Sequence, residues 1–359
     1  MQNLRKKFPV LNQCIYANTA ATGLLSEDLM EWRQEHDLDY LIGGSTMKQK
    51  SFERMGEIRS SVGSFFGCSS QNVALVPNFT LGLNMLLEGL SKKLNILLLE
   101  NDYPSLNWPF ETRNFQREYV DVDEDLEENI YERVKTGKID VLALSLVQWV
   151  SGIKTELDFL KKLKNEFPNL LIIVDGTQFC GTQKFNFQDS GIDVLGASAY
   201  KWLLAGYGNG FMLVKDEVME RFDLKFIGNG SVDQDITKRE DIPFCKYLEP
   251  GHLDSLNFGS LQFSLNFLDT IGPNHITAQL EKLSQKGKEE FGSLGLLEEK
   301  IMKRPNHSTI FNIKGDEKLF HKLTQENVVS VLRGNGIRLS FHFYNTENEI
   351  DAIADILKS

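Results

Sequence analysis

Two apolar runs, each ending at a chemically useful residue, constrain this chain more than anything else in it. Leu170 to Val174 is unbroken apolar sequence and stops at Asp175, within VDGTQ. Val194 to Ala197 is a second such run, followed at once by SAYKW with Lys201 near its end. Short apolar runs bounded by turn residues read as strands buried on both faces of a parallel sheet. If these two strands are parallel neighbours, a carboxylate and an amine arrive at the same edge of that sheet.

The surrounding sequence supports such a sheet. Strand-like segments occur at 72–77, 95–99, 139–147 and 209–214, and helical spacing at 51–66, 80–90 and 156–166. Strands alternating with helices imply an α/β domain with a mostly parallel sheet. From about residue 240 the character changes. A longer helical pattern at 276–291 is followed by strand-like segments at 308–313 and 336–343. The chain closes with a helix in which Thr346 and Glu349 form a capping box and Ile350, Ile353 and Ile356 make the apolar face. We expect a large domain over 15–240 and a smaller α+β domain from 241–359 together with 1–14.

Composition narrows the function classes. The 359 residues carry a net charge of −11, which disfavours nucleic acid as a partner. No apolar run approaches a membrane span, and the N-terminus has no apolar signal core, so a cytoplasmic protein is expected. Cys14, Cys68, Cys180 and Cys245 form no CxxC and have no histidine cluster, which argues against zinc.

The residues at the expected sheet edge suggest a specific chemistry. An amine beside a buried carboxylate is the equipment for pyridoxal phosphate: the lysine forms a Schiff base with the aldehyde, and the carboxylate keeps the pyridine nitrogen protonated. Tyr200 and Trp202 flank Lys201 and could desolvate it, favouring the neutral amine; a solvated surface lysine is the bland alternative. Asp175 could instead cap the next segment, and Gln178 could be a turn residue. PNFTLGLN at 77–84 is a strand-to-helix turn whose N–H groups and Thr80 hydroxyl would suit a phosphate, or Thr80 could simply cap the helix. Tyr103 could stack on a pyridine ring or belong to the core. Arg338, inside an apolar strand, needs a partner: a substrate carboxylate or a structural ion pair. The glycines of GYGNG lack the GxGxxG order of a dinucleotide site, so a nicotinamide-dependent oxidoreductase is disfavoured.

Taken together, IYANTAATG, DGTQ, SAYK, the YPS segment and IRLSFHFYNTENEID resemble the class V aminotransferase family of fold-type I pyridoxal phosphate enzymes, over nearly the whole chain. That family includes cysteine desulfurases, selenocysteine lyases and isopenicillin N epimerase-like proteins. The resemblance implies the pyridoxal phosphate-dependent transferase fold, with a mostly parallel sheet of the seven-stranded type. It implies that Lys201 carries the internal aldimine, Asp175 pairs with the pyridinium nitrogen and Gln178 bonds the phenolic oxygen. Phe79 through its backbone, Thr80, Ser198 and Tyr200 would hold the phosphate, Tyr103 would stack on the ring, and Arg338 would bind the substrate α-carboxylate. A homodimer is implied, with His252 or Ser255 of EPGHLDSLN near the other subunit's phosphate.

Two departures bear on the reaction. No cysteine follows Cys245, so a desulfurase that passes sulfur to its own thiolate is disfavoured. Trp149 stands where relatives place an asparagine near the ring oxygen, leaving Gln148 as a substitute or Trp149 as a wall of the pocket. Transamination of an amino acid or related amine is the favoured expectation. A lyase or epimerase is the alternative within the family, and a non-catalytic protein on the same fold the alternative outside it.

Overall fold

The computed structural model describes residues 2–233 and 235–358. Seven strands build the central sheet: β1 (Val73–Val76), β2 (Asn95–Leu99), β3 (Gln116–Val120), β4 (Val141–Ser145), β5 (Leu171–Asp175), β6 (Val194–Ser198) and β7 (Gly210–Val214). Their spatial order is β1-β7-β6-β5-β4-β2-β3. Only β7 runs against its neighbours; the other pairs are parallel. The expected fold class, with its mostly parallel seven-stranded sheet, is therefore observed.

The unbroken apolar runs have a simple cause. Ile172 and Val174 enter one buried cluster while Leu171 and Ile173 enter another, so β5 presents side chains to packed layers on both faces. Leu142 and Leu144 of β4 alternate with Val141 and Ala143 in the same way. β3 escaped the sequence reading because QREYV is a largely polar edge strand with only Val120 fully buried.

Helices α1 (Glu27–Gly43), α2 (Thr46–Phe66), α3 (Phe79–Glu88), α4 (Pro104–Glu111), α5 (Ser255–Ile271), α6 (Pro273–Ser293) and α7 (Glu347–Lys358) include those that matter for the site. The segment 24–50 is mostly helix, with Ser26 accepting from the Leu29 N–H to cap α1. Its apolar residues do not form one inward stripe: Leu29 is buried while Leu38, Tyr40, Leu41 and Ile42 are exposed. The capping box of α7 forms as expected, the Thr346 N–H donating to Glu349 at 2.9 Å and the Glu349 N–H to the Thr346 hydroxyl at 3.3 Å. A smaller antiparallel sheet follows the order β9-β10-β8, with β8 (Ile310–Lys314), β9 (Val331–Arg333) and β10 (Gly336–Ser340). The N-terminal segment is tied to this part of the chain: Ile15–Tyr16 pairs in parallel with Val328–Val329, and the Ser340 N–H donates to the Ala17 carbonyl at 2.8 Å.

α3 lies unusually close to the sheet because two glycines permit it. A Cβ on Gly196 of β6 would come within 2.4 Å of the Met212 sulfur and 2.7 Å of the Phe79 ring, and one on Gly82 of α3 within 2.8 Å of Met212. This approach sets the N-terminus of α3 against the end of β6. We expect Gly196→Ala to overpack this layer at a cost of about 1–3 kcal/mol. A denaturant midpoint unchanged from the parent would show that the layer has slack that the geometry denies.

Candidate active site

The crevice lies where the strands end. β1, β2, β4, β5 and β6 point their carboxyl ends to the same edge, the usual place for ligands in an open α/β sheet. Parallel pairing sets Asp175 against Gly196 and Ser145 against Asp175, so the Lys201 turn follows directly beside the Asp175 carboxylate. A cavity of about 570 Å³ opens there, lined among others by Asn78, Thr80, Asp175, Thr177, Ser198 and Lys201. A narrower recess continues from Lys201 between Tyr103, Ser145, Trp149 and Gln178.

Lys201 is only 5% exposed. Its amine sits 5.3 Å from the Tyr103 ring centre and 5.5 Å from that of Tyr200. Among the described residues no carboxylate forms an ion pair with it. Burial lowers its pKa to about 8, against the attraction of Asp175, with Arg338 and Arg333 pushing the same way as burial. Asp175 is 4% exposed, and burial raises it to about 6 although the Thr177 N–H donates to it at 2.8 Å. The expected desolvation of the lysine is thus present, with Tyr103 and Tyr200 supplying the rings. Trp202 turns away, donating through its indole N–H to Gln178 at 2.6 Å.

The helix N-terminus differs from the expectation in detail. Asn78, not Thr80, caps α3 by accepting from the Leu81 N–H at 2.9 Å. Thr80 therefore lies in the first turn and lines the cavity. Phe79 lines the cavity, and its N–H is already engaged, donating to the Ser198 hydroxyl at 2.9 Å. Phe79 consequently acts by orienting Ser198, whose own proton remains available. The first turn of α3, Thr80 and Ser198 form an end suited to a phosphate, where the helix dipole favours negative charge. Lys201 and Asp175 stand mid-cavity with Tyr103 alongside, so the residues fit a flat, phosphate-bearing aldehyde.

Gln178 is buried, donating to the Ala20 carbonyl at 3.0 Å and lining the narrow recess. Gln148 is not a substitute near the ring, because its carbonyl accepts from the Val150 and Ser151 N–H groups at 2.6 and 2.8 Å and is used up in the 148–152 turn. Trp149 instead walls the recess, 5.5 Å from the Tyr103 ring in an edge-on arrangement. His252 and Ser255 do not join Lys201 within one chain; both line a separate cavity of about 1010 Å³ beside α1 and α2, and the Ser255 hydroxyl is hydrogen-bonded to His36 at 2.9 Å.

Arg338 is 3% exposed, its Nη1 donating to the Trp149 carbonyl at 2.8 Å. Its Nε has no partner, and among the described residues no carboxylate pairs with it. Burial lowers its pKa to about 10. The structural ion pair weighed for this residue is absent among the described residues, which leaves the side chain suited to an incoming anion.

Three contributors went unread in the sequence. Thr177 holds both strand ends, through its N–H to Asp175 and through its hydroxyl, which accepts from the Ser198 N–H at 3.1 Å. Asp102 is buried and bridges the Ser145 and Tyr103 N–H groups at 2.8 and 2.7 Å. Gly23 closes over the lysine turn, its N–H donating to the Tyr200 carbonyl at 2.9 Å, and a Cβ there would strike the Lys201 carbonyl at 1.9 Å. The turn residues of DGT and the glycine of ATG were signals, but Asp102 gave none, because only the fold brings 102 to 145.

The family model for aminotransferase class-V matches residues 15–353, and the chain belongs to that family. It is 24% identical to a protein named probable cysteine desulfurase from Pyrococcus abyssi, across 99% of this chain and 96% of that one. It is 22% identical to an uncharacterized aminotransferase of Bacillus subtilis, across 98% and 97%. The apo cysteine desulfurase of Thermococcus onnurineus superposes with a TM-score of 0.83 at 20% identity, covering 99% and 97% of the two chains. The cystine C-S lyase C-DES in complex with cysteine persulfide gives 0.87 at 16% identity, covering 97% and 98%. The expected fold and the expected cofactor, pyridoxal phosphate, are those of this family.

The folded chain holds the Asp175 proton more tightly than the unfolded chain does. Its contribution to stability is therefore full below about pH 4 and is lost as pH rises through about 6. In cofactor-free protein, Asp175→Asn should thus be more stable than the parent near pH 8 by about 3 kcal/mol, with the gap closing below about pH 4. A pH-independent difference in denaturation midpoints would refute this assignment of charge.

Proposed function

We propose that this chain is a pyridoxal phosphate-dependent enzyme that transfers the amino group of an α-amino acid. The observation that carries the reading is the buried Lys201 amine, free of any carboxylate ion pair among the described residues, beside the buried Asp175 carboxylate. Bound pyridoxal phosphate supplies an electron-accepting ring that makes a bond at the substrate α-carbon easier to break. Lys201 would be its attachment point and would serve as the base that moves the α-proton. Asp175, steadied by the Thr177 N–H, would keep negative charge at the ring nitrogen. Tyr103 would lie against the ring, and Gln178 would meet the phenolic oxygen from the narrow recess. Thr80, Ser198, Tyr200 and the first turn of α3 would hold the phosphate, with Phe79 orienting Ser198. Arg338 would orient the substrate carboxylate.

Transfer to a protein thiol is not supported. Arg333 opposes Gly336 across a two-residue turn, with Gly334 at φ +56°, so β9 and β10 leave no loop that could carry a nucleophile. Burial pushes all four thiols up, and Cys180 and Cys245 are enclosed. A lyase that needs no protein thiol is the second reading, supported by the backbone match to the cystine C-S lyase.

We place residues 15–240 in the large domain and the remainder in the small one. A homodimer is supported by the apolar residues that α1 exposes, Leu38, Tyr40, Leu41 and Ile42, and it would let His252 or Ser255 serve the partner's site. Among the described residues no helix is long and apolar enough to cross a membrane. The four free thiols accord with a cytoplasmic location.

Purified protein with added cofactor should show a visible absorption band that shifts with a preferred amino acid. Amino-group transfer to a keto acid would support the proposal, whereas keto acid and ammonia released together would favour the lyase. Lys201→Ala should lose both band and turnover while keeping its circular dichroism; full activity in that variant would overturn the mechanism. The amine's pKa of about 8 adds a pH signature, the band forming faster as pH rises toward that value and levelling above it. Arg338→Ala should raise KM about tenfold or more, since hydrogen bonds to charged groups are worth roughly 1.5–3 kcal/mol each. An unchanged KM would place the carboxylate elsewhere.

A further inference from the structure

One guanidinium suffices for one carboxylate, yet the β9–β10 hairpin carries two. Val331 opposes Arg338 and Arg333 opposes Gly336 in its register. Opposed residues of an antiparallel pair project to one face, as do residues two apart along a strand. Arg333 and Arg338 therefore share a face as diagonal neighbours, on the order of 7–8 Å apart. On that face Asn312, opposite Arg338 on β8, takes the place a Gly336 side chain would fill, its Oδ1 2.6 Å from where a Cβ would stand and its Nδ2 donating to the Arg333 carbonyl at 2.8 Å. The hairpin turn also leans on the turn that carries Trp149, since a Cβ on Gly334 would lie 3.1 Å from the Val150 side chain. The shared face thus adjoins the Trp149 wall of the recess.

Charge makes the pair unusual. Elsewhere, the well-buried guanidinium groups of Arg59 and Arg304 are ion-paired with Glu249 and Glu127. Arg333 and Arg338 have no acidic partner among the described residues. The charge of Arg333 is felt at both Lys201 and Arg338, where it disfavours the protonated form. Asp175 is the acid felt at Lys201, and Asp102 is in turn felt at Asp175, but neither carboxylate is paired with Arg333 or Arg338. Like charges this close are costly unless an anion bridges them.

We propose that Arg333 and Arg338 together hold a substrate with two acidic groups: an amino acid whose α-carboxylate sits on Arg338 and whose side-chain carboxylate sits on Arg333. The inference rests on the amino-acid-directed reading above and extends it to the aspartate and glutamate class. Arg333 is then a specificity-determining residue. Being exposed, it can be changed without opening the core.

The test is binding, measured by calorimetry and tryptophan fluorescence on protein loaded with cofactor, at constant ionic strength. Glutarate and butyrate serve as probes because neither has an amine to react. The parent should bind glutarate about tenfold more tightly than butyrate, the value of one additional charge-assisted contact. Arg333→Gln should abolish that preference and leave butyrate binding unchanged, Arg333→Lys should restore part of it, and Arg338→Gln should weaken both probes. Equal affinity of the parent for the two probes, or a preference that survives Arg333→Gln, overturns the proposal. A visible cofactor band without the glutarate preference would remove the twin-arginine site and leave the enzyme reading standing. The preference without any band would do the reverse.

Discussion

The parallel pairing of β5 with β6 is the constraint on which this molecule depends. It sets Asp175 beside Gly196 and lets the chain leave β6 directly into the turn that holds Lys201. Everything chemical here is an edge effect. The strands must be apolar throughout to be covered on both faces, so polar groups can collect only where the strands stop. Gly196 then lets α3 approach closely enough for the Phe79 N–H to meet Ser198. Sheet packing, the helix N-terminus and the lysine turn are thus one construction.

That construction trades stability for poise. Burial works against the charged forms of both Lys201 and Asp175, bringing their pKa values to about 8 and about 6. A site built for stability alone would have placed the two in a tight ion pair or removed both. Asp102 adds a second buried carboxylate that bridges the ends of neighbouring strands, and its charge pushes Asp175 further up. Arg338 is held by a backbone carbonyl and not by an acid, which keeps its remaining donors for a ligand. Buried groups left partly unsatisfied are where chemistry is to be expected.

The N-terminal segment and the small sheet make the site deeper than the central sheet alone could. Residues 17–23 run from the small sheet to the lysine turn, linked by Ser340 at one end and by Tyr200 at the other. Gln178 is fixed between this segment and Trp202, so a residue of the large sheet's edge takes its orientation from the N-terminal segment and from the lysine turn. The tight β9–β10 turn then sets the identity of the charges at the mouth of the recess.

What could be read in the sequence followed from local physics. Unbroken apolar runs marked the buried strands, and DGTQ and SAYK marked the residues at their ends, because strand termination and turn chemistry are encoded within a few positions. The capping box of α7 was legible for the same reason. The sequence by itself therefore determined six of the seven strands of the sheet, its carboxyl edge and the arrival of Asp175 and Lys201 at that edge. The polar edge strand β3 and helix α1 were not legible, because their partners, not their patterns, stabilise them. Only the tertiary structure decided that Asn78 and not Thr80 caps α3, that Gln148 is spent on its own turn, that Asp102 reaches Ser145, and that Arg338 lacks an acid. Asp102 meets Ser145 and Arg338 meets Trp149 across segments far apart in the chain, and partners at such separations are chosen by packing, not by neighbouring residues; Asn78 and Gln148 bond within their own turns, where the backbone path selects one polar group among several nearby.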